Sequence, residues 1–156
     1  MAQEIERKFL IKDDAFKAES VYKTKITQGF LSTVPERTVR IRIQGDKGFL
    51  TVKGIGNKSG ASRYEFEKEI SIGDAQDLMA ICEPGVIDKT RYNVKSGEHT
   101  FEIDEFYGDN DGLIVAEVEL SSEDEVFEKP EWLGVEVTGE VKYYNAMLMK
   151  NPYNKW

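Results

Sequence analysis

Apolar and polar residues alternate with a period of two along most of this chain, and that period predicts strands. At the start, Glu4, Glu6 and Lys8 fall on one face, while Ile5, Phe9 and Ile11 fall on the other with Arg7 as the exception. Further strands are predicted over 25–31, 38–43, 49–53, 63–72, 86–94, 100–106 and 113–120. Val39, Ile41 and Ile43 oppose Arg40 and Arg42; Tyr64, Phe66 and Ile70 oppose Glu65, Glu67 and Glu69. Phe101 and Ile103 oppose Glu102 and Asp104, and Val118 and Leu120 oppose Glu117 and Glu119. Lys53 lies in a run with Leu50 and Val52, and Lys89 and Arg91 sit two apart.

Helical signals are fewer. Residues 13–22 read as a short helix or turn with Asp13 or Asp14 as N-cap. A helix is predicted from about Asp74, with Ala75, Leu78, Met79, Ile81 and Cys82 as its apolar stripe and Pro84-Gly85 as its stop. The segment 141–150 reads as helical and ends at Asn151-Pro152. Turn residues at 32–36, 45–48, 97–98 and 109–112 separate the strands, and 54–60 reads as a flexible hairpin loop. About eight short strands at hairpin spacing, with two or three small helices, predict a mainly β protein. The expected architecture is an eight-stranded antiparallel sheet closed into a barrel, with no sign of a linker or repeat across 1–156.

Composition narrows the chemistry. The 156 residues are 40% hydrophobic and 32% charged, enough for one domain with a sizeable core. A formal net charge of −8 disfavours nucleic acid and anionic membranes as partners. No apolar run is long enough to span a bilayer, and Glu4 and Glu6 fall where a secretory signal would begin, so a cytoplasmic location is expected. A single cysteine, Cys82, allows no internal disulfide and fits a reducing cytosol. A single histidine, His99, excludes a His-rich zinc site and disfavours a Ser-His-Asp triad.

Like charges recur two apart on strand after strand: Glu4/Glu6, Arg40/Arg42, Glu65/Glu67, Lys89/Arg91 and Glu117/Glu119. Each pair projects from one face of its strand, which points to one shared, charge-lined interior. A barrel of about eight strands has room inside for side chains or one small ligand. The acids Glu4, Glu6, Glu65, Glu67, Asp104, Glu117 and Glu119 and the bases Lys8, Arg40, Arg42, Lys53, Lys89 and Arg91 are the candidates to line it. Buried charge on this scale is costly unless paired with opposite charge, metal or ligand, so it points to function. Hard cations take carboxylate oxygens and phosphates take Lys and Arg, so the two sets could hold a divalent cation beside a small polyanion.

Glu4-Ile5-Glu6-Arg7-Lys8-Phe9 resembles the Glu-x-Glu-x-Lys signature of the CYTH superfamily, the triphosphate tunnel metalloenzymes. The resemblance continues in order through Val39-Arg40-Ile41-Arg42, Leu50-Thr51-Val52-Lys53-Gly54, Tyr64-Glu65-Phe66-Glu67, Lys89-Thr90-Arg91-Tyr92, Ile103-Asp104, Ala116-Glu117-Val118-Glu119-Leu120 and Val137-Thr138-Gly139…Tyr143-Tyr144-Asn145. It implies an eight-stranded antiparallel tunnel barrel, Mg²⁺ or Mn²⁺ as cofactor, and a small-molecule triphosphate as substrate. By the same resemblance, Lys8, Arg40, Arg42, Lys53, Lys89 and Arg91 hold phosphate oxygens. Glu4, Glu6 and Glu119 ligate metal with Glu117 close by, and Glu65, Glu67 and Asp104 orient the bases, assist the metal or position water.

The implied reaction is hydrolysis of inorganic triphosphate to pyrophosphate and phosphate. Adenylate cyclase chemistry of the class IV type, thiamine or nucleoside triphosphate hydrolysis, and non-catalytic polyphosphate binding are the alternatives; the expected state is monomer or homodimer. Arg63, Glu69 and Lys142 are expected at the periphery, His99 exposed and Cys82 in helix packing. Tyr144 and Met147 are expected in the core, with the final helix available to plug one tunnel mouth.

Overall fold

The computed structural model describes residues 3–156. Nine strands form one wholly antiparallel sheet: β1 (Gln3–Ile11), β2 (Tyr22–Ser32), β3 (Thr38–Gln44), β4 (Lys47–Lys53), β5 (Ser62–Ile70), β6 (Ile87–Ser96), β7 (His99–Phe106), β8 (Ile114–Glu119) and β9 (Leu133–Glu136). Their order is β5-β4-β3-β2-β6-β7-β8-β1-β9, and a further β5–β1 pairing closes the first eight into the expected barrel. β1 carries the closure by splitting its partners. Gln3 to Ile5 pair with β5, Glu6 to Leu10 pair with β8, and Phe9 and Ile11 pair with β9. Closure leaves no free edge along the barrel wall.

The ninth strand departs from the sequence expectation. At four residues, with Gly134 inside it and Pro130 just before, it is too short to register as an alternating pattern. A Cβ at Gly134 would stand 3.0 Å from the Leu10 carbonyl oxygen, so β9 runs close against β1.

Three short helices flank the barrel: α1 (Phe16–Glu19), α2 (Ile72–Ala80) and α3 (Asn145–Leu148). α2 starts two residues before the expected Asp74, and Ser71 caps it, its side chain accepting from the Asp74 amide at 3.0 Å. α2 lies across β2, β3 and β4. Gly48 makes this possible, because a Cβ there would stand 2.5 Å from that of Ala75. The predicted 141–150 helix is instead a 3₁₀ turn (Val141–Tyr143), an extended Tyr144 and then α3. No helix is long and apolar enough to cross a membrane among the described residues.

The apolar core lies outside the barrel. Phe9, Tyr92, Val94, Phe101, Ile103, Ala116 and Val118 project outward from β1, β6, β7 and β8. They are covered by Phe16 of α1, by Phe127 and Trp132 from the segment before β9, and by Leu133 at the start of β9. Trp132 is 1% exposed and meets Phe101 edge-to-face at 5.5 Å, and Phe16 meets Tyr92 at 5.4 Å. Each such burial contributes roughly 1.5–3 kcal/mol. A second cluster closes one end of the barrel. Leu10, Phe30, Ile87, Phe106 and Val115 continue the inward rows of their strands and pack with Val137, Tyr143, Leu148 and Met149 of the C-terminal segment. The inward rows are therefore apolar at that end and charged along the rest, which leaves a charged chamber above an apolar floor.

Candidate functional site

Cross-strand register assembles the chamber. Arg91 lies opposite Asp104, Lys53 opposite Glu65, Lys8 opposite Glu117 and Thr51 opposite both Arg40 and Glu67. Directly paired residues share a face, so the like-charged doublets of the sequence all turn inward together. Every one of the candidate acids and bases occupies an inward position. The cavity has a volume of about 330 Å³ and is lined by Glu6, Lys8, Arg40, Arg42, Lys53, Lys89, Arg91 and Glu117, while Glu4, Glu65, Glu67, Asp104 and Glu119 are not among its lining residues. That is the small end of the usual range for ligand sites, roughly 300–1,000 Å³.

The basic wall is partly neutralised. Asp104, 3% exposed, accepts two hydrogen bonds from Arg91, at 2.8 and 2.9 Å, and pairs with Lys89 at 2.8 Å. Arg91 also reaches Glu102 at 3.3 Å. Arg40 donates to Thr51 at 3.0 Å and approaches Glu67 at 3.5 Å, while its Nε is buried without a partner. Arg42 has no carboxylate within ion-pair distance among the described residues. Its single protein hydrogen bond runs from Nε to Gln28 Oε1 at 3.1 Å, and its terminal nitrogens face the cavity. Burial, with Arg40 and Arg91 beside it, brings the Arg42 pKa down to about 9. Burial also brings Lys89 down to about 7 although Asp104 opposes the shift.

The acidic wall contains neighbouring carboxylates whose pKa values are pushed apart. Burial and the neighbouring Glu117 and Glu4 push Glu6 well above the usual carboxylate range. Glu117 is buried too, yet Lys8, at 3.6 Å, and a hydrogen bond from Glu6 hold it below that range. Glu4 and Glu65 divide in the same way. Despite burial, Lys53, a hydrogen bond from Glu65 and Arg63 bring Glu4 down to about 2, while burial and Glu4 push Glu65 up to about 7. Lys53 sits between them, 3.0 Å from Glu4 and 3.5 Å from Glu65, and is 9% exposed rather than solvated at a strand end. Glu119 is exposed, and partial burial with Glu4 and Glu102 nearby raises its pKa. Among the described residues no three acidic side chains converge on one point.

Several residues belong to the chamber that the sequence analysis placed elsewhere. Arg63, expected at the periphery, lies 3.6 Å from Glu4 and lines the cavity. It has the parity of Glu65 and Glu67, and that signal alone would find it. Tyr144 and Met147, expected in the core, also line the cavity. The Tyr144 ring lies 5.1 Å from the Lys8 ammonium and 5.6 Å from the Arg63 guanidinium. Gln28, Thr51 and Asn145 join as uncharged partners, and Glu102 shares the parity of Asp104. The loop over 54–60 is pinned rather than free. Glu123 accepts from Asn57 and Ser59, both at 2.6 Å, and from Ser62. Gly60, at φ +79°, approaches Gly139 so closely that a Cβ would stand 2.4 Å from the Gly139 Cα. His99, expected exposed, is largely covered and hydrogen-bonds Glu125. Cys82 lies just past α2, its Sγ 3.5 Å from the Leu78 carbonyl.

A closed antiparallel barrel with an apolar exterior and two charged interior walls defines a tunnel-type fold. Residues 2–150 match the CYTH domain, and the chain belongs to that family. It is 44% identical over 160 residues to an inorganic triphosphatase of Acetivibrio thermocellus, covering 100% of this chain and 99% of the relative. It is 37% identical over 149 residues to an inorganic triphosphatase of Nitrosomonas europaea, covering 93% and 95%. The crystal structure of the inorganic triphosphatase NE1496 superposes with a TM-score of 0.64 at 34% identity, covering 94% of this chain and 97% of that one.

Proposed function

We propose that this chain is an inorganic triphosphatase that hydrolyses tripolyphosphate to pyrophosphate and orthophosphate with Mg²⁺ or Mn²⁺ as cofactor. The observation that carries the reading is the charge imbalance of the chamber. Arg42 is buried, has no carboxylate within ion-pair distance among the described residues, and lies beside Arg40, Arg91 and Lys89. Two relatives that this chain covers almost end to end are named for the same activity, which supports it.

In this reading Lys8, Arg40, Arg42, Lys53, Lys89 and Arg91 bind the phosphoryl oxygens. Asp104 keeps Lys89 and Arg91 aimed into the chamber, and Glu67 with Thr51 does the same for Arg40. Phosphoryl transfer asks for neutralisation and in-line placement more than for covalent chemistry, and a rigid barrel wall supplies both. Glu6 and Glu117 line the cavity and supply the hard oxygen donors that a divalent cation takes, and a third carboxylate would have to swing in to join them. Glu6 and Glu117 would hold it with Glu4 and Glu119, and Glu65 would position water. The cation supplies charge neutralisation at the phosphoryl oxygens and a better nucleophile near neutral pH. A half-buried free cysteine suits a reducing cytosol, where we place the protein, as a monomer or homodimer acting on a small molecule.

The test is product identification by phosphorus NMR from tripolyphosphate and from ATP, with either cation. Pyrophosphate and orthophosphate from tripolyphosphate support the proposal. Cyclic AMP from ATP, with tripolyphosphate untouched, overturns it in favour of cyclase chemistry, and tight binding of both without turnover overturns it in favour of a binding module.

A further inference from the structure

Two uncharged side chains are hydrogen-bonded to cations of the chamber, and neither has a role in the proposal above. Gln28, on β2, is fully buried. Asn145 begins α3 in the C-terminal segment that closes the barrel. Asn145 Oδ1 accepts from Lys89 Nζ at 3.0 Å and from Gln28 Nε2 at 2.8 Å, and Gln28 Oε1 accepts from Arg42 Nε at 3.1 Å.

Donor bookkeeping fixes both amides. Lys and Arg can only donate, so the atom of Asn145 facing Lys89 is its oxygen, and the atom of Gln28 facing Arg42 is its oxygen. Gln28 then has only its NH₂ left to offer Asn145, whose oxygen has a second lone pair to take it. The result is a hydrogen-bonded chain from Arg42 through Gln28 and Asn145 to Lys89, continuing to Asp104 and Arg91. It uses one N–H of Arg42 and leaves both terminal nitrogens free for an acceptor in the cavity. It uses one N–H of Lys89, Asp104 takes another, and one remains.

We infer that Gln28 and Asn145 are positioning residues that aim Arg42 and Lys89 at a bound phosphate chain while leaving both cations unneutralised. A carboxylate at 145 would orient Lys89 equally well but cancel its charge, and one at 28 would cancel Arg42 and have no N–H for the Asn145 oxygen, whereas an amide orients without cancelling. Asp104 already neutralises one side of Lys89. Carboxylates at 28 and 145 as well would leave the Lys89 and Arg42 side of the wall with no net attraction for phosphate. Because Asn145 comes from the closing segment, docking of the C-terminus completes the phosphate site as well as the fold. The inference rests on the phosphate-binding reading and adds the residues that tune it.

The experiment uses the full chain and the isosteric variants Asn145→Asp and Gln28→Glu. Tripolyphosphate binding is measured by calorimetry in EDTA, so that no metal or turnover is involved, with thermal stability and then KM and kcat as companion readouts. Asn145→Asp, which still accepts from Gln28 and Lys89, should keep the wild-type melting temperature or exceed it, whereas Gln28→Glu loses the amide donor to Asn145 and should melt lower. Each should bind tripolyphosphate at least roughly tenfold more weakly, the loss of about one charge-assisted hydrogen bond, and raise KM more than it lowers kcat. Folded variants that bind as tightly as the wild type overturn the inference. If the wild type itself binds no tripolyphosphate, the phosphate reading fails first. Should a charged variant not fold, Asn145→Ala and Gln28→Met carry the test: unchanged affinity in both overturns the inference, and weaker binding at wild-type kcat supports it.

Discussion

Asp104→Asn removes one charge and leaves the side chain's shape almost unchanged. Asp104 is 3% exposed and is the shared partner of Arg91 and Lys89, at 2.8 Å from each. Without it, Lys89 and Arg91 face Arg42 and Arg40 with only Glu102 close to Arg91. Leaving a buried charge unpaired costs about 3–5 kcal/mol. Lys89 can lower that cost by releasing its proton, since burial already holds it near 7, so the low end, about 3 kcal/mol, is expected. For a domain of this size that corresponds to a fall in Tm of roughly 6–12 °C. Polyanions should then restore more stability to the variant than to the wild type, because they replace the missing negative charge. Differential scanning calorimetry in EDTA, with and without tripolyphosphate, reads both effects. A variant that melts within about 2 °C of the wild type and gains no extra stabilisation from tripolyphosphate would refute the idea that Asp104 balances a concentrated positive wall.

Glu6→Gln and Glu117→Gln should each abolish cation-dependent turnover while sparing the fold, and should reduce the protons released on Mn²⁺ binding, measured by calorimetry in buffers of different ionisation enthalpy. Retention of wild-type proton release in both would contradict the raised pKa of Glu6 beside Glu117. The Lys89 pKa lies at about 7 in the folded chain against an ordinary 10.5, so the burial penalty is fully present below 7 and is relieved as pH rises from 7 toward 10.5. Stability without ligand should therefore rise over that window, and tripolyphosphate binding above pH 7 should take up a proton; the Lys89→Met variant should show neither. Gly60→Ala places a Cβ 2.4 Å from the Gly139 Cα at φ +79°, so both sterics and backbone oppose it. It should cost at least about 1 kcal/mol and detach the loop from its partner, read as faster amide exchange over 55–61.

The charged interior was legible because strand parity is a backbone property. Glu4/Glu6, Arg40/Arg42 and Lys89/Arg91 must share a face wherever the strand goes, and barrel closure turns those faces to one another. Arg63 and Glu102 carry the same signal but stand next to better-matched motif residues. Asn145 and Tyr144 were not legible in this way. They come from an irregular segment around α3, where no period ties side-chain direction to position, and their place depends on how the C-terminus docks. The pairing of Lys53 with Glu4 across the β1–β5 seam is likewise a tertiary fact, since β1 changes partners within nine residues. β9 is set by its contact with β1 and has too few residues for a pattern of its own.

The most direct measurement is the initial rate of orthophosphate release from tripolyphosphate by the purified chain as Mg²⁺ is titrated from zero, with Mn²⁺ and with ATP in parallel. The account predicts no release without cation, release that saturates with it, and slower turnover of ATP. Release that is indifferent to either cation, or none from tripolyphosphate with both, would contradict a tunnel whose acidic and basic walls act together on one triphosphate.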